Sequence, residues 1–214
     1  MVEMVRLKKG ILIVFEGIDG AGKTTQAEAL MERLKKRGLK VLFFREPSEG
    51  KWGRFIKEKA AQENSLLPEE ELELFQKDRQ ENVKLNLKPA LKKRNIILLD
   101  RYYFSTMAYQ GAKGIDPEYI RSLNQKFAVE PDLVFIMDIE ADKGLSRIQN
   151  RKNRDLLFEQ EDYLKRVRGI FKRIQGKNIR HIDAQLPKGE ITDIIEKEIL
   201  LYIQPFIKED KLKR

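Results

Sequence analysis

The sequence contains no cysteine and a single histidine, His181, among its 214 residues. Without cysteine the chain forms no disulfide, offers no thiol nucleophile and builds no cysteine-ligated zinc site. One histidine is too few for a histidine metal cluster and argues against a Ser–His–Asp triad, so we expect His181 to be a surface or strand-edge residue. Any chemistry must therefore come from carboxylates, lysine, arginine, hydroxyl groups and the backbone.

Long apolar runs are also missing. No run approaches the ~18 apolar residues of a membrane-spanning helix, and the opening residues MVEMVRLKKG lack the apolar core of a signal peptide. We therefore expect a cytoplasmic protein with no membrane partner. There is no internal repeat, low-complexity linker or compositional break, so residues 1–214 are expected to form one domain with a core of its own.

Basic residues outnumber acidic ones, 43 against 34, for a formal net charge of +9. This balance favours anionic partners, which include nucleotides, nucleic acid and acidic surfaces, although it is also compatible with a plain solvated surface. The basic residues are spread along the chain with acidic residues between them rather than gathered in one arm or stripe. For that reason we expect no nucleic acid partner.

Five apolar runs alternate with helix-like patterns. Such runs are typical of strands covered on both faces of a parallel sheet, and they occupy residues 11–17, 40–46, 95–101, 132–140 and 179–184. Apolar residues with helical spacing follow Gly22, Pro68, Asp116, Asp162 and Glu190. The alternation predicts an α/β fold, a doubly wound parallel five-stranded sheet flanked by helices.

The stretch FEGIDGAGKTTQ, residues 15–26, carries the most specific motif. It matches G-x-x-x-x-G-K-[ST] between a predicted strand and a predicted helix, a loop whose backbone amides surround phosphate groups. Lys23 would reach the β- and γ-phosphates, and the Thr24 hydroxyl would reach Mg²⁺. The predicted ATP-binding residues are Gly17, Ile18, Asp19, Gly20, Ala21, Gly22, Lys23, Thr24 and Thr25. A carboxylate at Asp19 would repel phosphate, so it either caps the loop or contacts a ligand.

A second motif, LLDRYYFSTMAYQG, spans residues 98–111. Asp100 ends a predicted strand, and the carboxyl ends of strands in doubly wound sheets border the ligand crevice. Its carboxylate can hold Mg²⁺ or the water around it. The planar fork of Arg101 suits a phosphate, unless the two residues form only a structural ion pair.

Two further stretches are open to more than one interpretation. In LFQKDRQ, Phe75 and Arg79 lie four residues apart on one helix face, where a ring and a guanidinium could clamp a nucleobase. From the residues alone, a core phenylalanine beside a solvated arginine is the more common arrangement. SRIQNRKNRD, residues 146–155, holds four basic residues. It is either a lid that brings positive charge to a transferred phosphoryl group or a solvated helix face.

Taken together, the motifs make the chain resemble the thymidylate kinase family. FEGIDGAGKTTQ, REP at 45–47, LFQKDRQ, DRYYFSTMAYQG and the basic residues 151–159 occur in the family's order. The resemblance implies a P-loop nucleoside monophosphate kinase fold with a basic lid at about 146–160, and transfer of the ATP γ-phosphate to dTMP with Mg²⁺. It also implies a homodimer.

The resemblance further implies a role for individual residues. Asp19 would face the sugar and phosphate of the acceptor, and Arg45 and Arg101 would hold that phosphate. Phe75 would stack on thymine while Arg79 reads its O4. The other predicted acceptor-binding residues are Ser105, Thr106 beside the thymine ring, Tyr109 under the deoxyribose, and Phe158 and Glu159 on the sugar side. Thr24 and Asp100 would serve the metal.

Family members carry a catalytic arginine either in the phosphate loop or in the lid. This loop has Ile18 and Gly20 and no arginine, so the lid must supply it, with Arg151 and Arg154 favoured over Arg147. The expected catalytic set is Lys23, Asp19, Arg101, Arg151 and Arg154. The chain departs from the family at 48–50, where Ser-Glu-Gly replaces Gly-Gly-Thr. Nearby, Trp52 is expected either to cover the loop as a core residue or to join the acceptor site.

Overall fold

Five parallel strands form the centre of the fold, in the order β2-β3-β1-β4-β5. The structure is a computed structural model that describes residues 4–60, 66–148 and 154–208, with the backbone alone for 154–159. The strands are β1 (Ile11–Glu16), β2 (Val41–Arg45), β3 (Ile96–Asp100), β4 (Leu133–Asp138) and β5 (Ile179–Asp183). All five lie where the apolar runs predict them, and the α/β class with a parallel five-stranded sheet is confirmed.

The three central strands are the most deeply buried. β1 and β3 are buried along their whole length and β4 nearly so, whereas the edge strands β2 and β5 are partly exposed. Continuous apolar runs suit strands that are covered on both faces. His181 is an exposed residue of β5, in agreement with its expected place at the sheet edge.

Helices connect the strands. They are α1 (Lys23–Lys36), α2 (Lys51–Ala60), α3 (Pro68–Asn82), α4 (Lys88–Lys92), α5 (Tyr103–Gly111), α6 (Pro117–Gln125), α7 (Ala141–Ile148), α8 (Arg154–Arg173) and α9 (Lys188–Ile203). A π-helical segment, Val83–Leu87, joins α3 to α4, and a 3₁₀ turn, Gln204–Phe206, follows α9. As predicted, α3 begins at Pro68, and the Asp116 side chain caps α6 by accepting from the Glu118 amide.

Helices α2, α4, α5 and α7 were not predicted. Seven of the nine residues of α5 are buried, so its sequence shows no polar face and therefore no helical period. In α2 and α7 the apolar residues do follow a helical period, which the sequence analysis did not use, and Phe55 of α2 remains exposed. Of these three helices, only α5 therefore depends on tertiary packing rather than on a sequence pattern.

No helix in the described part of the chain is long and apolar enough to cross a membrane.

Because the strands are parallel, the loops that follow β1, β2 and β3 meet at one edge of the sheet. Phe15 lies opposite Asp100 in the β1–β3 pairing, and Arg45 lies opposite Asp100 in the β2–β3 pairing. The phosphate-loop motif, the REP motif and the DRY motif begin at these three strand ends. The topology thus brings three motifs that are far apart in sequence to one place.

Candidate active site

The loop between β1 and α1 runs through three glycines with positive φ, Gly17, Gly20 and Gly22. Gly20 also has no room for a side chain, because a Cβ there would collide with the carbonyl oxygen of Gly144 in α7. Only glycine adopts this backbone conformation without strain. The close packing against α7 gives a physical reason why the loop of this protein carries no arginine at position 20.

Lys23 begins α1 and is buried beneath the loop. Its Nζ donates to the Ile18 carbonyl oxygen at 2.8 Å. Burial, with the positive charge of Arg101 added, lowers the pKa of Lys23 to about 7. The negative charge of a bound polyphosphate would raise that pKa again and favour the charged ammonium form.

Thr24, Arg45 and Asp100 form a polar cluster beside the loop. The Thr24 hydroxyl donates to Asp100 Oδ2 at 2.5 Å, and Arg45 Nη2 lies 2.9 Å from Thr24 Oγ1 and 3.3 Å from Asp100 Oδ2. Asp100 Oδ1 is buried and has no hydrogen-bond partner among the described residues. An unpartnered buried carboxylate oxygen next to a hydroxyl suits Mg²⁺, which prefers oxygen ligands and keeps several waters. The residues therefore fit the metal.

Arg101, Asp19 and Tyr109 form a second cluster. Arg101 has a positive φ of 71°, which directs its side chain back towards the loop, where Nη2 pairs with Asp19. The Tyr109 hydroxyl donates to Asp19 Oδ2 at 3.0 Å and lies 3.3 Å from Arg101 Nη2. Burial would raise the pKa of Asp19, but the charges of Arg101 and Lys23 outweigh it and hold that pKa below its usual value. Asp19 is therefore an anion that orients the arginine and the tyrosine.

Glu16, which the motif analysis missed, connects the phosphate loop to the DRY motif. This fully buried carboxylate accepts from the Tyr102 amide at 2.8 Å and from the Ser105 amide and hydroxyl at 3.2 and 2.5 Å. Ser105 Oγ in turn accepts from Arg101 Nη1 at 3.0 Å. Glu16 thus caps α5 and holds the serine behind Arg101. The sequence signal that could have identified Glu16 is the presence of a glutamate at the end of an apolar strand.

Arg79 belongs to α3 and is 1% exposed. Its guanidinium donates to Glu46 Oε2 and Asn124 Oδ1, both at 2.8 Å, and to Thr106 Oγ1 at 3.0 Å. The common alternative of a solvated arginine is therefore wrong. Each of the three nitrogens makes one of these bonds, which leaves one N–H on Nη1 and one on Nη2 for a further acceptor.

Phe75 lies one turn before Arg79 on α3 and is half-buried, so the alternative of a core phenylalanine is also wrong. A half-buried ring near a fixed guanidinium remains able to stack on a base. Glu46 and Asn124, two of the three buried residues that fix Arg79, were not predicted. Glu46 belongs to the REP motif, whereas nothing in the sequence around Asn124 marks it.

Gln110 lies one turn after Thr106 on α5 and was likewise missed. Its Nε2 donates to Glu71 at 3.0 Å, while its Oε1 is buried without a partner in the described part of the chain. A buried amide oxygen that lacks a donor is costly, so a donor from a ligand or from ordered water is expected there.

The departure at residues 48–50 is tied to α3. The Ser48 amide and hydroxyl donate to the buried Asp78 carboxylate at 2.9 and 2.5 Å. Trp52 is half-buried, with the ammonium groups of Lys51 and Lys77 at 4.9 and 5.0 Å from its ring. It is therefore not the core residue that one alternative expected, and its place in the acceptor site stays a prediction.

Arg147 is the one predicted lid arginine whose side chain the structure describes. Its Nη1 donates to the carbonyl oxygens of Ala184 and Gly20, at 3.1 and 3.4 Å, so it joins the end of β5 to the phosphate loop. Arg151 and Lys152 lie outside the described residues. The same holds for the side chains of Arg154, Phe158 and Glu159. Their predicted roles stay predictions.

A cleft of about 610 Å³ contains the phosphate loop through Gln26, together with Arg45, Asp100, Arg101 and Arg147. Its outer wall is more apolar and includes Ala184, Leu186 and Ile191, which the motif analysis did not select. A polar, cationic floor with an apolar wall suits a nucleotide, whose phosphates and base need opposite surroundings.

Comparisons with known proteins agree with this geometry. The sequence model of the family described as Thymidylate kinase matches residues 15–195. The chain is similar to a thymidylate kinase of Akkermansia muciniphila, 45% identical over 90% of this chain and 92% of that protein. It is also similar to a probable thymidylate kinase of Archaeoglobus fulgidus, 43% identical over 88% and 94% of the two chains. A thymidylate kinase of Brachyspira hyodysenteriae is 42% identical over 87% and 92%.

Proposed function

The chain belongs to the thymidylate kinase family, and we propose that it transfers the γ-phosphoryl group of ATP to dTMP, giving ADP and dTDP. The observation that carries this proposal is the pair of guanidinium groups beside the phosphate loop, in contact with Thr24 and Asp19. Arg45 and Arg101 both line the cleft that contains Lys23 and Thr24. One cleft with a polyphosphate loop and separate cationic groups suits two anionic substrates held in line.

On the donor side, the loop amides and Lys23 hold the β- and γ-phosphates of ATP. Thr24 and Asp100 hold Mg²⁺, and the unpartnered Asp100 Oδ1 supports this assignment. When bound, Mg²⁺ neutralises phosphate charge and helps to align the transferred group. The apolar wall around Leu186 receives the adenine ring.

On the acceptor side, Arg45 and Arg101 hold the dTMP phosphate and so offset its repulsion by the ATP phosphates. An oxygen of the dTMP phosphate attacks the γ-phosphorus, the bond from that phosphorus to the β–γ bridging oxygen breaks, and ADP leaves. Because Asp19 and Tyr109 fix the Arg101 side chain, little reorganisation accompanies the transfer. Asp19 and Tyr109 also face the deoxyribose.

The base is recognised by Phe75 and Arg79. The ring stacks on thymine, and the free N–H groups of Arg79 donate to O4. Glu46, Thr106 and Asn124 hold the guanidinium in one orientation, which makes its remaining donors directional. Ser105 acts from behind Arg101, and Phe158 and Glu159 line the sugar side.

The basic segment at about 146–160 acts as the lid. Arg151 and Arg154 place positive charge on the transferring phosphoryl group, and closure excludes water as an acceptor. The collision that blocks a side chain at Gly20 supports a lid source for this charge. We further propose that residues 1–214 form one domain that works as a cytoplasmic homodimer, which light scattering of the purified protein tests.

The decisive experiment measures ADP production from ATP and Mg²⁺ with dTMP, dUMP, UMP, CMP, AMP and GMP as separate acceptors. We expect dTMP to be preferred and UMP to be poor, because Tyr109 crowds a 2′-hydroxyl. The margin over dUMP is set by one methyl group and is expected to be about 1–3 kcal/mol. Strong activity on another acceptor would show that the kinase prefers a substrate other than dTMP. If none of the acceptors stimulates ADP production, the kinase assignment is overturned.

A further inference from the structure

Three segments lead into the amino ends of β1, β2 and β3, at the edge of the sheet opposite the cleft. They are residues 4–10, 35–40 and 88–95, and we call them together the basic face. They contain eleven basic residues and no acidic one: Arg6, Lys8, Lys9, Lys35, Lys36, Arg37, Lys40, Lys88, Lys92, Lys93 and Arg94. All eleven are exposed.

Backbone hydrogen bonds hold the three segments side by side. The Val5 amide donates to the Gly38 carbonyl at 3.0 Å, and the Ile11 amide donates to the Asn95 carbonyl at 3.1 Å. The Ile96 amide donates to the Lys40 carbonyl at 2.8 Å. Basic residues that are separated along the sequence are thus gathered on one surface, which their spread along the chain does not reveal.

Most of this charge is not neutralised within the described chain. Lys9 pairs with Asp132, Lys35 with Glu32, and Arg37 with Glu196. For the other basic residues of the face, the described residues provide no salt bridge. The Lys8 ammonium group donates a hydrogen bond to the Pro205 carbonyl oxygen. Exposed like charges that share one surface repel one another. The binding of an anionic partner would therefore reduce this repulsion.

The composition of the face narrows the chemistry of the partner. Its 21 residues include no aromatic side chain. The neighbouring rings of Tyr202 and Phe206 are already occupied by the Lys9 ammonium group, 5.6 and 4.5 Å from their centres, so the face offers little platform for stacking unpaired bases. Met4, half exposed, is its one large exposed apolar residue among those described, which is little for insertion into a bilayer. Once unpaired bases and a bilayer are excluded as partners, the face offers a broad surface of cations that suits phosphate groups.

We propose that the basic face binds the phosphate backbone of duplex nucleic acid, without reading its sequence. A duplex carries about one negative charge per 1.7 Å of its axis, and adjacent strands of the sheet lie about 4.8 Å apart. The lead-in segments and helix ends therefore span several phosphates at once. This site is at the opposite edge of the sheet from the cleft, so it is separate from the proposed kinase activity and adds a second anion-binding surface.

The test measures fluorescence anisotropy of a labelled DNA duplex of mixed sequence, about two helical turns long, over a range of salt concentrations. The variant Lys88→Gln/Lys92→Gln/Lys93→Gln/Arg94→Gln removes four charges from the face. Its matched control, Lys113→Gln/Lys143→Gln/Lys165→Gln/Arg166→Gln, removes four exposed charges away from this edge of the sheet. The two variants have the same net charge, so any difference between them reports the position of the charges.

We expect binding by the unchanged protein at about 50 mM salt, with a log–log salt dependence that the face variant flattens by about 3 to 4, since each lost phosphate contact removes about 0.9. The face variant should bind at least about tenfold more weakly than the control. Both should keep normal ADP production, which also shows that they fold. Equal loss in the two variants, no duplex binding at low salt, or binding to phosphatidylserine vesicles but not to the duplex would overturn the proposal.

Discussion

The same parallel strands carry positive charge at both of their ends, but they carry it in different ways. At the carboxyl ends, Lys23 and Arg79 are buried and Arg101 is mostly so, and each donates to named acceptors. At the amino ends, the charges of the basic face are exposed, and most lack a salt bridge within the described chain. Both regions therefore hold cationic groups, but Arg45, Arg79 and Arg101 at the carboxyl ends are paired with carboxylates and fixed in orientation, whereas most of the groups on the basic face are not.

This difference separates recognition of one geometry from attraction to any anion. Buried charges act through a low dielectric and need no reorganisation, so their effect is large and depends on position. Exposed charges are screened within about 8 Å at physiological salt, so each contributes little and many must act together. Substitutions at the two ends should accordingly differ in size and in salt dependence.

The largest effect should come from Lys23→Ala. The substitution removes the ammonium group beneath the loop and breaks only one hydrogen bond, to Ile18. We expect kcat to fall by about 10²–10³-fold or more, because a preorganised charge at the transferred group is lost. The measurement is ADP release at saturating substrates, with a thermal melt to show that the fold survives. Rates near those of the unchanged protein would refute the role assigned to Lys23.

The next largest effect should come from Arg79→Ala. It leaves the Glu46 carboxylate buried without its ion-pair partner, which we expect to cost about 3–5 kcal/mol of unfolding free energy. The double variant Arg79→Ala/Glu46→Gln removes that buried charge and should recover much of the stability, as urea denaturation will show. Both variants should raise the KM for dTMP far more than the KM for ATP. An equal rise for both substrates would argue against base recognition by Arg79.

These two residues also show what sequence could and could not predict. Lys23 is fixed by a contiguous motif, and all five strands are apparent because burial on both faces leaves unbroken apolar runs. The surroundings of Arg79 come from β2, α5 and α6, and no local pattern connects Glu46 to Asn124. For the same reason, the sequence could not show that the segments of the basic face lie side by side, because their arrangement depends on the strand order.

A smaller effect is expected from Glu16→Gln. The amide cannot accept the Ser105 hydroxyl proton as Oε2 does, so Ser105 and the Arg101 side chain behind which it lies should lose their fixed orientation. Because this carboxyl group acts through other residues, we expect about a tenfold higher KM for dTMP, a shift of roughly 1.4 kcal/mol, with little change in the KM for ATP. Equal changes in both KM values would indicate a general structural role instead.

The pH dependence of stability supplies a second readout for Glu16. Burial raises the pKa of Glu16 to about 7, although the Ser105 hydrogen bond and the charges of Arg101 and Lys23 oppose the rise. A folded-state pKa above the unfolded value means that the contribution to stability is present at pH below about 4.5 and is lost as pH rises towards 7. Glu16→Gln should therefore flatten the decline in unfolding free energy between these pH values. An unchanged slope would contradict this origin.

The smallest effect should come from a single change on the basic face, Lys93→Gln. Lys93 is exposed and has no salt bridge with the described residues, so we expect the unfolding free energy to change by no more than about 0.5 kcal/mol. Turnover should stay the same, because the residue lies at the opposite end of the strands from the cleft. Only the salt dependence of duplex binding should respond, with a log–log slope lower by about 0.9. Lys143→Gln, a change of the same charge at an exposed residue of α7, should leave that slope unaltered, and if it lowers the slope equally, net charge rather than the arrangement of the face governs binding.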